Sequence, residues 1–220
     1  MSIKRIKNLS LVSLITLGFI CAGASFAFGK NKLENAKVQP DLTPQERAAL
    51  AFYVYADFKS PLNHFYPSGW MGDTRDLAFD QSHTKEVFAG KTSIKVTYKP
   101  RGANKWAGIY WQQPANNWGD KQGGFELSKA TFITFWMKGQ TGNETISEVR
   151  IGGLKGAFPD SATAFKKNIK LTKNWKLYFI DLRGKDMSYI AGGFSFVVNK
   201  KDNPNGCTFY MDEIRYEMNK

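Results

Sequence analysis

The chain reads as all-β, two antiparallel sheets stacked as a sandwich behind a short N-terminal helix, and three observations predict it. From residue 51 onward, short β-branched and aromatic runs alternate with clusters of Gly, Asn, Pro and Asp, and no segment keeps a helical period. Nine such runs without an internal repeat predict a jelly roll rather than a propeller. Once an N-terminal leader is removed, Cys207 is the remaining cysteine. A full-sized core or a metal, not an intrachain disulfide, must then hold the fold.

Taken in order, residues 1–27 join Lys4, Arg5 and Lys7 to an apolar run over 9–20 and then to Cys21-Ala22-Gly23-Ala24-Ser25-Phe26-Ala27, the pattern of a secretory signal peptide. Cleavage is expected after Ala27, with Ala24 as the second choice. The apolar run falls short of the roughly 20 residues a membrane-spanning helix needs, and no later run approaches that length. Cys21 follows the bulky Ile20, which argues against lipoprotein processing. A periplasmic or secreted location is expected. Residues 28–40 read as a linker. Thr43-Pro44-Gln45-Glu46 makes a capping box with proline at the first helical position, opening a short helix through Leu50. Residues 51–220 form the β-domain.

Strands are expected at 51–57, 92–99, 106–112, 131–138, 145–151, 165–171, 175–182, 193–199 and 207–216. In the second of these, Ile94, Val96 and Tyr98 alternate with Ser93, Lys95, Thr97 and Lys99, so one face meets solvent. The run 175–182 is apolar on both faces and is expected to be central. Asp202-Asn203-Pro204-Asn205-Gly206 carries a hairpin signal before the last strand. The stretch 58–90 is poor in strand signals and is expected to be a long loop that lines a site or covers a sheet edge.

Removing Lys4, Arg5 and Lys7 takes the formal charge from +12 to +9. The excess is diffuse and contains no run that would track a phosphate backbone, so nucleic acid is not an expected partner. An acidic polysaccharide or anionic surface fits better, beside the plainer reading of a solvated basic surface. Serine-hydrolase, nucleotide-loop and zinc-protease motifs are absent, and His64 and His83 read as ordinary loop residues. Asp73, Asp76, Glu126 and Glu148 offer carboxylates, but their spacing selects no glycosidase pair. The expected function is not enzymatic.

The most informative run is Trp106-Ala107-Gly108-Ile109-Tyr110-Trp111-Gln112-Gln113-Pro114, with Asn117-Trp118-Gly119 behind it. Strand alternation puts Trp106, Gly108, Tyr110 and Gln112 on one face and Ala107, Ile109 and Trp111 on the other. Flat rings beside amides suit a sugar, whose C–H face stacks while its hydroxyls need partners. Trp70, Asp73, Trp106, Tyr110, Gln112, Trp118 and Arg150 form the candidate glycan-contact set, with Glu148 a ready partner for Arg150. The competing reading places the rings in the core. Asp57, ending the first strand, and Asp212, in the last, would meet if the terminal strands pair, and are a candidate calcium pair.

The succession Tyr53-Val54-Tyr55-Ala56-Asp57-Phe58, Gly90-Lys91-Thr92-Ser93-Ile94-Lys95-Val96, residues 127–137, residues 175–182 and Thr208-Phe209-Tyr210-Met211-Asp212-Glu213-Ile214 resembles carbohydrate-binding modules of the galactose-binding-like jelly-roll type over nearly all of 51–217. The stretches 67–73 and 106–119 resemble an uncharacterised secreted bacterial subset of that fold. The resemblance implies polysaccharide or oligosaccharide binding through an aromatic platform, and a structural calcium near the paired terminal strands. This chain has Asp57-Phe58-Lys59 where the family pattern often continues with a glutamate, so one calcium ligand is missing. The expectation is an exported, non-catalytic glycan-binding protein. A jelly-roll glycosidase or lyase, or a structural envelope protein whose rings are core, are the alternatives.

Overall fold

The computed structural model describes residues 51–219. The expected signal peptide, linker and short helix lie outside the described residues.

Among the described residues, eleven strands form two antiparallel sheets: β1 (Ala51–Tyr55), β2 (Tyr66–Gly72), β3 (Leu77–His83), β4 (Ser93–Tyr98), β5 (Trp106–Gln112), β6 (Ala130–Gly139), β7 (Thr145–Gly152), β8 (Thr163–Lys170), β9 (Lys176–Asp181), β10 (Gly192–Asn199) and β11 (Cys207–Met218). One sheet runs β3-β4-β11-β6-β9, with β1 also on β11; the other runs β2-β5-β10-β7-β8. The terminal strands pair as expected, Ala51 opposite Glu217 and Tyr55 opposite Ile214.

Alternation along each strand builds the core between the sheets. Ile94, Val96 and Tyr98 meet Ala107, Ile109 and Trp111 from the facing sheet, all fully buried. Trp111 packs edge-on against Phe194, and Phe194 edge-on against Phe135 of the other sheet. Edge-to-face packing lets each ring's positive rim meet its neighbour's negative face.

Three expectations about elements are corrected. The stretch 58–90 is not a structureless loop, because β2 and β3 lie in it. Both are edge strands, where Pro67 and Gly69 are tolerated, and β3 carries a legible alternation, Leu77, Phe79, Gln81 and His83 being the more buried set. The run 175–182 is not central: β9 ends its sheet. Its second apolar face therefore points outward, with Leu177 exposed. The Asn-Gly turn is not a hairpin either. It carries the chain from β10 in one sheet to β11 in the other, closed by the Gly206 N–H donating to the Asn203 carbonyl at 3.0 Å.

Candidate functional site

On the outer face of the β2-β5-β10-β7-β8 sheet, β5 presents Trp106, Gly108, Tyr110 and Gln112, while its other face goes to core. Trp106 is 37% exposed. Its ring crosses Gly72, where any side chain would collide with it and the positive φ of 67° already favours glycine. At Gly108 the neighbouring strands close in, since a Cβ there would collide with the Phe196 carbonyl oxygen and stand within 3.2 Å of the Met71 and Val197 side chains. Tyr110 lies roughly 13 Å further along the strand and is 5% exposed, its hydroxyl donating to the Gly152 carbonyl. Burial pushes its phenol pKa up. Trp118 covers it edge-on and is itself 43% exposed.

The loop bearing Trp118 is tied down from both sides. Asn117, fully buried, donates to the Gln113 and Lys121 carbonyls and accepts the Gly119 and Lys121 N–H groups. The Asn116 N–H donates to Ser68 Oγ at 2.8 Å, and that hydroxyl donates to Gln112 Oε1 at 3.0 Å. Gly69 makes room, since a Cβ there would stand 2.8 Å from the Gln112 amide. Gln112 is fully buried, and its Nε2 has no partner among the described residues. Below Tyr110, Asp160 accepts N–H groups of Leu154, Ala191 and Gly192, and burial raises its carboxyl pKa. Sequence reading did not select Asp160; an aspartate in a glycine-rich loop carries no distinguishing pattern.

The candidate set therefore divides. Trp106 and Trp118 stand bare on one face, and Arg150 joins them through β7, where it sits opposite Ser195, itself opposite Tyr110. Arg150 Nε donates to Glu148 Oε1 at 2.6 Å, the pairing the sequence offered, and Glu148 raises the guanidinium pKa. Tyr110 and Gln112 share the face but are sealed, so they position the loop rather than contact a ligand. Trp70 is corrected to the opposite side of its sheet: its register partner is the core residue Ile109, and it packs edge-on against Phe79 at the open edge of the sandwich. A bulge between Pro67 and Gly69 shifts its alternation. Asp73 is corrected as well. Its carboxylate accepts the Asn104 amide and the Lys105 N–H, each at 2.8 Å, and braces the β4–β5 turn.

Asp57 and Asp212 converge on one loop. Asp57 Oδ1 accepts the Lys91 and Thr92 N–H groups, while Asp212 Oδ2 accepts those of Phe88 and Ala89 and its Oδ1 that of Glu213. These oxygens face N–H donors, where a calcium ion would need further oxygens. Among the described residues no three His, Cys, Asp or Glu side chains are grouped to hold a metal. The donor set does not fit the calcium expected from the sequence. Burial lifts the Asp212 carboxyl pKa to about 7.

A second aromatic surface lies on the outer face of the other sheet, unselected by sequence. Phe88 stacks on Trp136, centroids 3.8 Å apart, with Trp175 beside them and Leu177 across from Trp136. The signal was the two-faced apolarity of 175–182, read as centrality.

No protein-family profile and no curated protein matches the chain. Among solved structures, a family 30 carbohydrate-binding module aligns with a TM-score of 0.52 at 13% identity, covering 79% of this chain and 90% of that one. A second family 30 structure aligns with a TM-score of 0.52 at 15% identity, covering 77% and 99%. The β-sandwich of this chain is the fold seen in family 30 carbohydrate-binding modules.

Proposed function

We propose that the chain is an exported, non-catalytic glycan-binding protein whose contact surface is the outer face of the β2-β5-β10-β7-β8 sheet. The observation that carries the reading is the pair of bare indoles, Trp106 and Trp118, on a surface whose loop is braced by buried Asn117 and Gln112. Stiff, exposed rings lose little entropy on stacking against a sugar, and this supports binding over a core role. The likeness in fold to carbohydrate-binding modules supports it too, and residues 1–27 support export. Carboxylates are tied elsewhere: Glu148 to Arg150 and Lys167, Asp76 to the Arg101 and Gly102 amides. That supports a non-catalytic role over a two-carboxylate hydrolase.

Calorimetric titration with a panel of neutral and acidic polysaccharides tests the reading, alongside an assay for new reducing ends or unsaturated products. Binding in the micromolar to millimolar range without cleavage is expected. A folded protein that binds none of the panel overturns it, and cleavage would move it to the enzymatic alternative.

A further inference from the structure

Resting on that reading, we infer that this face selects sugars bearing a carboxylate, and that Arg150 is the residue that reads it. The Arg150 guanidinium has only its Nε engaged, with Glu148. Its two terminal nitrogens have no hydrogen-bond partner among the described residues. Those nitrogens form the edge of the fork that grips a carboxylate bidentately, and they can only donate. The side chain is about one-third exposed and lies by the Phe165 ring, 5.6 Å from its centroid. Phe165 is 51% exposed, so a sugar ring can rest on it with an exocyclic carboxylate turned toward Arg150.

Lys167 adds a second cation at the same place. Its Nζ stands 5.0 Å from the Phe165 centroid and 3.5 Å from Glu148 Oε2. Glu148 thus meets two cations, and the outward side chains Glu148, Arg150, Phe165 and Lys167 keep one net positive charge. A neutral hydroxyl seeks both a donor and an acceptor, whereas this corner offers spare donors beside an acceptor already shared by two cations. The basic excess that remains without Lys4, Arg5 and Lys7, a formal +9 against the +12 of the full sequence, acts in the same direction by drawing polyanions toward the surface.

The test compares galacturonate, mannuronate and glucuronate polymers, each against its own methyl ester, by calorimetry, with neutral glucan, mannan and xylan alongside. Esterification removes the charge and keeps the ring. At least one uronate is expected to bind about tenfold more tightly than its ester, with a steep loss on added salt. Arg150→Gln should abolish the difference between acid and ester, with the thermal midpoint read alongside as the check on folding. Lys167→Gln should reduce the difference by itself, which keeps the question open to test if Arg150→Gln fails to fold. Equal binding of acid and ester, or binding of neutral polymers alone, overturns carboxylate selection and leaves glycan binding standing. A folded wild-type protein that binds nothing on the panel removes both.

Discussion

Trp118 stands edge-on over Tyr110, ring centroids 6.3 Å apart and planes at 70°. Two residues of one expected platform thereby take different work: the outer ring is free for a ligand, and the inner one is the floor that orients it. The buried phenol is anchored to Gly152 and cannot swing away.

Exposed and buried indoles should separate cleanly on substitution. Trp118→Ala and Trp106→Ala are expected to lower glycan affinity about tenfold or more with little change in thermal midpoint. Trp111→Ala, deep in the core, is expected to cost about 3–5 kcal/mol of stability. Calorimetric binding and urea unfolding on the three variants check this. Stability losses of core size at Trp106 and Trp118 would return those rings to a structural role.

Ser68→Ala removes both the acceptor for Asn116 and the donor to Gln112. We expect a loss of about 1–2 kcal/mol, lower hydrogen-exchange protection of the Asn116 amide and weaker glycan binding, although Ser68 is not placed in the contact surface. Exchange measured by mass spectrometry reads the first two effects together.

The Asp212 carboxyl holds its proton to about pH 7 in the folded chain, above the ordinary aspartate value of 3.8. Between those values the folded state binds more protons than the unfolded state. This group's contribution is therefore full below about pH 4 and is lost as pH rises through about 7. The stability of wild type relative to Asp212→Asn, measured by urea unfolding from pH 4 to 8, should fall over that window. A flat or rising difference would contradict the assignment.

Calcium should not stabilise the domain. A site occupied at a hundred times its Kd would add about 2.7 kcal/mol, readily seen as a shift in thermal midpoint. We expect no shift on adding calcium or EDTA, and a rise abolished by Asp57→Asn would restore the metal site.

The aromatic row on the opposite sheet provides the control. Trp136→Ala, which removes the partner of Phe88, should leave glycan affinity unchanged within about a factor of two. Loss of binding there instead of at Trp118 would move the contact surface to the other sheet.

Strand content and the two faces of β5 were legible in the residues, because alternation is a local property of an extended chain. Ile109 and Trp111 lie on the core face of β5 and Trp106 on the other. The edge strand β2 was not legible, since proline, glycine and polar residues mask strand propensity where one side of the strand needs no hydrogen-bonded neighbour, and β3, although it alternates, was passed over inside the same strand-poor stretch. The same limit misplaced β9: apolarity on both faces marks burial in most strands, and here it marks an exposed aromatic face.

The amino-acid sequence alone thus determined an all-β sandwich and the side of the central strand on which Trp106, Tyr110 and Gln112 lie. Which of these side chains stays open was decided only when the 113–124 loop folded back over β5, and the bulge after Pro67 sent Trp70 to the other side. Exposure depends on residues distant in the chain closing over a side chain, and register on where a strand skips a residue; neither is written in local periodicity.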